Sequence, residues 1–277
     1  MPLSLVGSEM CIRDRYIAVL PKIFKPYKSK KQNLIRIGPK SDGGYVIDRR
    51  VIKKTSVIIS CGLNDDWEFE RHFIKFNSNC KIIAYDHTVN EKFWKDRFKK
   101  DLKSLILFKK LRLKKILDVF KYLNYRRFFN KKNIHYIKKI VQNKKNKNEI
   151  SIKSILKNHQ NLILKVDIEG DEYKILKQII RDYKKINLLI IEFHNISQNY
   201  KKIKNFISKS KYRLIHIHGN NYAGVDNLKN PNVIECTFIN NMKFKVSKFK
   251  SKCKYPIANL DFKNFRRRED IKINFND

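Results

Sequence analysis

Acidic and histidine residues follow several apolar segments of this sequence, where they could carry out acid–base chemistry. Asp167 and Glu169 come directly after one apolar segment, and Glu192 and His194 end the next. A carboxylate or imidazole at such a position can take a proton from a reacting group, hold a metal ion or orient a ligand. We take Asp167, Glu169 and His194 as the catalytic candidates. Capping of the following helix is the alternative role for the acids.

His216 and His218 are a second group of candidate ligands. They lie two residues apart in an apolar segment, so on a β-strand both imidazoles project from the same face. With Asp167 and Glu192 they could bind a divalent metal through nitrogen and oxygen atoms. A histidine pair also commonly has a purely structural role, and both interpretations stay open.

A single glycine followed by a downstream acid indicates a nucleoside-binding turn. Gly62 directly follows the apolar run Ser56–Cys61, and Asp86 ends the next apolar run. The spacing resembles that of glycine turns whose downstream acid binds a ribose. One glycine cannot build a pyrophosphate cradle, so the turn favours S-adenosylmethionine over NAD, although a simple turn is an equally good interpretation. The candidate cofactor-binding residues are Cys61, Gly62, Asn64, Asp86 and His87.

Strands and helices alternate along most of the chain, and this alternation must position the candidate residues. Continuous apolar runs are typical of strands buried on both faces of a parallel sheet. The sequence therefore predicts an α/β fold whose strand ends meet at one edge. The last two strands have no obvious helix between them, which predicts an antiparallel pair at one edge of the sheet. The predicted strands are Ser56–Cys61, Lys81–Asp86, Ser104–Phe108, Asn161–Asp167, Leu188–Phe193, Tyr212–His218 and Val233–Ile239.

Composition divides the chain into four parts. Residues 1–15 resemble translated sequencing adapter and lack the bias of the remainder, so we expect them to lie outside the fold and the native N-terminus to be missing. Residues 16–55 form an N-terminal segment with a hairpin, and residues 56–240 form the main domain. A basic insertion interrupts that domain near residues 109–150, and residues 241–277 form a basic C-terminal tail.

The chain is strongly basic, with 63 Lys and Arg against 26 Asp and Glu and a net charge of +37. Such a charge attracts polyanions. The joint excess of Lys, Ile and Asn is also what an AT-rich genome produces, so nucleic acid is a possible but not the favoured partner. Aromatic residues interleave with the basic residues of Lys95–Lys147. This pattern predicts single-stranded nucleic-acid binding or, as we favour, the buried stripes of amphipathic helices.

Cysteine usage and hydropathy predict a cytoplasmic protein. None of the five cysteines is paired at the spacing of a metal finger, which favours a reducing compartment. No apolar run approaches the roughly 18 residues of a membrane-spanning helix. The oligomeric state is left open.

The segment Leu164–Leu176 resembles the signature of FkbM-type methyltransferases, which runs LKxDxEGxExxxL. The upstream helix Ser151–Leu156 and the next strand Leu189–His194 are also similar to this family. Further similar segments occur in the same order between Leu34 and Ile239. They are Arg36–Gly38 with Asp42–Val46, Ser60–Asp66 with Phe69 and Glu70, Tyr85–Thr88, and His216–Asn221.

The resemblance implies a Rossmann-like class I methyltransferase fold, with S-adenosylmethionine bound near Gly62 and Asp86. It also implies a small-molecule or glycan acceptor, with O-methylation of a sugar hydroxyl as the expected reaction. The segment Cys61–Asn64 departs from the acid-x-Gly-x-x-x-Gly form of typical methyltransferases. The alternative is a non-catalytic protein of the same fold that binds nucleic acid or an anionic surface.

Overall fold

The computed structural model describes residues 16–106 and 120–276, and its strands and helices alternate as the sequence predicts. The strands are β1 (Ile17–Pro21), β2 (Leu34–Ile37), β3 (Tyr45–Asp48), β4 (Val57–Cys61), β5 (Lys81–Tyr85), β6 (Ile134–Tyr136), β7 (Lys139–Val141), β8 (Glu149–Ser151), β9 (Leu162–Val166), β10 (Ile186–His194), β11 (Tyr212–Gly219), β12 (Val233–Asn240) and β13 (Lys272–Asn276). The α-helices are α1 (Glu68–Phe76), α2 (Glu91–Ile106), α3 (Lys121–Phe128), α4 (Ile152–Lys157), α5 (Glu172–Arg181) and α6 (Ile196–Lys209).

Seven strands form a central sheet in the order β11-β12-β10-β9-β4-β5-β6. Neighbouring strands pair in parallel, except that β12 is antiparallel to both β10 and β11. The predicted Rossmann-like α/β class, mostly parallel with an antiparallel pair at one edge, is confirmed. The structure adds that β12 lies between β10 and β11, an order that local sequence patterns do not encode.

The central strands are buried on both faces, which explains their continuous apolar sequence. Ile59 and Leu164 face a core formed with α4, α5 and α6. Their neighbours Ile58 and Ile163 face the opposite core, formed with α1 and the β2–β3 hairpin. This alternation follows from the two-residue period of a strand. The sheet is thus packed between a layer of helices on one face and a layer formed by α1 and the hairpin on the other.

The prediction of a third strand at Ser104–Phe108 was wrong. Helix α2 continues to Ile106, and residues 107 and 108 lie outside the described residues. In chain order, the third strand of the central sheet is β6 instead, which pairs with β5 at the edge of the sheet. Trp94, Phe98 and Leu102 recur every four residues, which is the period of a helix and not of a strand. Strand β6 has only three residues and contains His135, so no apolar run marks it.

The aromatic residues of the basic segment pack mainly on two tryptophans. Tyr125 lies 4.7 Å from Trp94 between ring centroids, and Phe128 and Phe129 surround Trp67. This packing supports the amphipathic-helix interpretation, and nucleic-acid binding stays a prediction. Residues 109–119 of the basic insertion lie outside the described residues.

The C-terminal segment covers the sheet edge next to β11. Strand β13 pairs in parallel with β1, and the residues before it contribute Asp261 and Asp270 as partners of the β11 histidines. The adapter-like residues 1–15 lie outside the described residues. Within the described part of the chain, no helix combines the length and apolar character needed to cross a membrane.

Candidate active site

A cavity of about 340 Å³ lies at the carboxyl edge of the sheet. Ligands of open α/β sheets bind at this edge, and the volume is within the range of small-molecule sites. The loops after β4, β5 and β9 form its walls. The lining residues are Gly62, Leu63, Asn64, Tyr85, Asp86, His87, Thr88, Lys138, Lys139, Ile140, Asp167, Ile168, Glu169 and Asp171.

Gly62 brings the first of these loops against the strand that carries Asp167. Its φ of +84° favours glycine, and a Cβ at this position would lie 1.7 Å from the carbonyl oxygen of Asp167. The Gly62 N–H donates to the carbonyl of Tyr85 at 3.0 Å. No side chain fits here, so the glycine sets the distance between two walls of the cavity.

Asp86 holds the same loop from the other side. Its Oδ2 accepts from the N–H groups of Leu63 and Asn64, both at 2.9 Å. Its Oδ1 accepts from the N–H and hydroxyl of Thr88, at 2.7 and 2.6 Å. Burial raises the pKa of Asp86, but these hydrogen bonds outweigh burial and leave the pKa lowered. Asp86 therefore fixes the loop, and its contact with a cofactor stays a prediction.

The other predicted cofactor residues separate into two groups. Asn64 and His87 line the cavity together with Gly62 and Asp86. Cys61 is fully buried behind the wall, where burial raises the pKa of its thiol to about 12. Its carbonyl accepts from the N–H of Asp167 at 2.8 Å. Cys61 thus joins two strands, and its thiol does not reach the cavity.

The three predicted catalytic residues lie together. His194 Nε2 is 3.5 Å from Glu169 Oε2 and 4.0 Å from Asp167 Oδ1. The His194 side chain is 13% exposed, whereas Glu169 is 88% exposed. Glu169 has a φ of +51°, which turns the chain between β9 and α5 toward the end of β10. The structure therefore places a largely covered imidazole directly behind two carboxylates that line the cavity.

Glu172 orients this imidazole and was missed as a site residue. It is fully buried at the start of α5, and its Oε1 lies 3.4 Å from His194 Nδ1. The same oxygen accepts from the backbone N–H of His194 at 2.8 Å, and Oε2 accepts from the backbone N–H of Gly170 at 2.8 Å. The Tyr173 hydroxyl donates to the carbonyl of His194. Glu172 is the second glutamate of the LKxDxEGxExxxL signature, and that position was the available signal.

Burial and mutual charge raise the pKa values of two acids and of the histidine, but for different reasons. Burial raises the pKa of Asp167 to about 6, although Lys165 and His194 act to lower it. Burial and the charge of Asp167 raise the pKa of Glu192 well above its usual range. Burial alone would lower the pKa of His194, but Glu172, Asp167 and Glu169 together raise it. Perturbed pKa values of this kind often mark functional sites.

A sequence model of the family described as Methyltransferase FkbM domain matches residues 30–214. The chain belongs to this methyltransferase family. The FkbM match covers every residue that lines the cavity, from Gly62 to Asp171, and it extends from the β2–β3 hairpin into β11. No curated protein sequence matches the chain.

Several solved methyltransferase-fold structures are similar to the chain at low identity. The fibrillarin pre-rRNA processing protein of Methanococcus jannaschii is 9% identical, with 68% of this chain and 67% of that chain covered and a TM-score of 0.37. Precorrin-6y C5,15-methyltransferase of Geobacter metallireducens is 10% identical, with 77% of this chain and 94% of that chain covered and a TM-score of 0.34. The Pyrococcus abyssi tRNA (uracil-54, C5)-methyltransferase with bound S-adenosyl-L-homocysteine is 10% identical. The similarity covers 75% of this chain and 44% of that chain, with a TM-score of 0.32.

The candidate metal ligands of this FkbM domain fall in two places. Ligand atoms of Asp167, Glu192 and His194 lie within 4.8 Å of one another, close enough for the three side chains to share one metal ion. His216 and His218 lie outside this group, because both imidazoles are paired with other carboxylates. His216 Nε2 lies 3.0 Å from Asp261 Oδ1. His218 lies 3.3 Å from Glu235 and 3.0 Å from Asp270.

The β2–β3 hairpin closes the FkbM site on the side away from the cavity. The pKa of buried Tyr45 is raised by burial first and then by the charges of Asp167 and Glu192. A Cβ on Gly43 would lie 3.0 Å from the carboxylate of Asp66. Asn264 donates to both Asp42, at 2.8 Å, and Glu235. Carboxylate oxygens therefore dominate this side of the site.

Proposed function

We propose that this methyltransferase uses S-adenosylmethionine to methylate a hydroxyl of a sugar or glycan-like acceptor. The observation that carries the proposal is the paired orientation of His194. Buried Glu172 faces Nδ1, while Nε2 points toward the cavity rim beside Asp167 and Glu169. An imidazole with one nitrogen 3.4 Å from a buried carboxylate and the other beside the cavity acids is suited to remove a hydroxyl proton.

The cavity has the chemistry that S-adenosylmethionine needs. Ile140 and Ile168 supply apolar surface for an adenine ring, and Asn64 and His87 supply polar groups. Asp167 and Glu169 offer carboxylates to the cationic groups of this ligand, whereas Asp171 is paired with Lys139 of the same cavity lining. The cavity volume suits a nucleoside. When bound, S-adenosylmethionine supplies an electrophilic methyl group.

The residues of the chain then provide a base and an acceptor site. His194 Nε2 would take the proton of the acceptor hydroxyl, whose oxygen would receive the methyl group while S-adenosylhomocysteine leaves. Glu172 stabilises the resulting imidazolium, since it already raises the pKa of His194. The carboxylates near Tyr45 can accept hydrogen bonds from further hydroxyls of the acceptor, which favours a sugar over an anionic substrate.

The proposal is tested by measuring turnover with S-adenosylmethionine and a panel of free sugars, nucleotide sugars and short RNA. We expect S-adenosylhomocysteine to form only with a sugar acceptor, whose mass rises by one methylene unit. The rival function is a non-catalytic binder of nucleic acid or anionic surfaces. No heat of binding with S-adenosylmethionine, together with steeply salt-dependent RNA binding, would favour this rival.

Glu172→Gln is expected to move the pH profile of the reaction toward lower pH. His194 must be neutral to act as a base, and its pKa is raised above 6.5, so activity should increase with pH through that raised value. The neutral amide removes the charge that does most to raise the pKa of His194, while Asp167 and Glu169 remain. The rising limb of the profile should therefore move to lower pH. The measurement is kcat/KM against pH for wild type, E172Q and the surface control E68Q.

The same profile separates the two candidate bases. Asp167 has a pKa raised to about 6 by burial. A limb near that pH that is unchanged in E172Q would assign the base to Asp167 and contradict the role given to His194.

A divalent metal at Asp167, Glu192 and His194 is the second candidate role of this cluster. The ligand atoms lie within 4.8 Å of one another and combine imidazole nitrogen with carboxylate oxygen. A metal-bound imidazole cannot at the same time accept a proton, so the two roles exclude each other at His194. We expect dialysis against EDTA to leave the turnover rate unchanged. Loss of turnover that Mg²⁺ or Mn²⁺ restores would assign the cluster to a metal instead.

A further inference from the structure

A second cavity, of about 430 Å³, lies at the edge strand β11 at the end opposite the active site. Two short segments extend the sheet there. The Tyr27 N–H donates to the carbonyl of Leu214 at 2.7 Å, and the Ser251 N–H donates to the carbonyl of Pro26 at 2.8 Å. Tyr27 also forms a β-bridge with Lys250. The floor of the cavity is therefore backbone-bonded structure and not a loose surface.

Two cations meet on the ring of Tyr27. The Arg213 guanidinium carbon lies 4.2 Å from the ring centroid, and Lys250 Nζ lies 3.9 Å from it. Lys211 lines the same cavity. Within residues 16–106 and 120–276, none of these three side chains forms a salt bridge with a carboxylate.

Burial and neighbouring positive charge both disfavour the charged form of Lys250. Its Nζ donates to the carbonyl of Lys25 at 2.7 Å, a neutral acceptor that leaves the charge uncompensated. Burial, followed by the charges of Arg213 and Lys25, lowers the pKa of Lys250 to about 8. A bound anion would reverse this effect by stabilising the charged ammonium.

Hydroxyl groups complete the cavity. Ser208 and Ser210 line it, and Ser210 Oγ is buried without a hydrogen-bond partner among the described residues. Buried hydroxyls without a partner are unusual, because the unmade hydrogen bond costs about 1–3 kcal/mol. A ligand with several acceptor oxygens would satisfy this hydroxyl and the cations together.

We propose that this cavity binds the phosphate group of a phosphorylated ligand. A phosphate dianion offers the negative charge that Arg213 and Lys250 lack and an acceptor oxygen for the Ser210 hydroxyl. The cavity is concave and large enough for a sugar phosphate. It lies at the start of β11, whereas His218 and the active-site edge lie at its end, roughly 20 Å away for a strand of this length. The site is therefore separate from the methyl-transfer centre.

Thermal unfolding and titration calorimetry test the site. Inorganic phosphate should raise the unfolding temperature more than chloride at equal ionic strength. Arg213→Met and Lys250→Met should each weaken phosphate binding by about tenfold or more, the effect of losing a hydrogen bond to a charged group. Lys252→Met is the matched control, because Lys252 is exposed next to the cavity and should keep wild-type affinity.

Labelling of Lys250 provides an independent measurement. An amine-reactive acylating reagent at pH 8 should modify Lys250 faster than Lys252, and phosphate should protect Lys250 alone. Equal protection of both lysines, or equal phosphate affinity in wild type and K250M, would overturn the proposal. Tighter binding of glucose 6-phosphate than of inorganic phosphate would identify a phosphorylated sugar as the ligand. Equal binding of the two would identify free phosphate. Both outcomes are independent of methyl transfer.

Discussion

Gly62→Ala should greatly weaken S-adenosylmethionine binding and lower the unfolding temperature by roughly 5–10 °C. The added Cβ would lie 1.7 Å from the Asp167 carbonyl oxygen, and alanine would have to keep a φ of +84°. Left-handed strain and overpacking together cost about 3 kcal/mol, which corresponds to such a shift for a domain of this size. The two walls of the cavity must then separate, and the loop held by Asp86 moves with them.

Gly224→Ala is the matched control for this prediction. Gly224 has a comparable φ of +72°, but a Cβ there would meet no atom within 4 Å. It should lose about 1 kcal/mol from backbone strain and keep wild-type cofactor affinity. Equal affinities of G62A and wild type, measured by calorimetry, would show that contact between Gly62 and Asp167 does not shape the cofactor site.

His194→Ala should reduce kcat by about 10²- to 10⁴-fold, the usual contribution of a general base. The affinity for S-adenosylmethionine should change little, because His194 does not line the cavity at Gly62. Single-turnover rates and cofactor Kd measured on the same preparation separate these two effects. Glu172 and Tyr173 hydrogen-bond the backbone of residue 194 and not its side chain, so circular dichroism should confirm an intact fold.

His159→Ala is the matched control for this second prediction. His159 lies just before β9, at the sheet edge opposite the cavity, and is partly exposed. It should retain the wild-type rate. Equal rates for wild type, H159A and H194A would show that His194 is not the base.

The acid at the end of β5 shows how sequence and tertiary structure divide the information. Its position beyond a buried strand was predictable, because apolar runs mark strands and parallel strands end at one edge. What Asp86 does there was not predictable from spacing. The four donors on its two oxygens come from Leu63, Asn64 and Thr88, and this geometry exists only in the folded loop.

The two histidine groups make the same point for ligand chemistry. The sequence placed His194, His216 and His218 near strand ends, and all three lie in such positions. Only the structure pairs His216 and His218 with the carboxylates Asp261 and Asp270, which come from a segment more than 40 residues away along the chain. Long-range pairing of this kind leaves no local pattern.

The sequence by itself determined the α/β class, the methyltransferase signature and the carboxyl-edge position of the candidate residues. These follow from hydrophobic period and from a contiguous motif, which are local properties. The tertiary structure alone decided the insertion of β12, the third strand at β6 and the buried contact of Glu172 with His194. Each of these depends on which distant segments pack together, and packing is decided by the whole chain and not by any window of it.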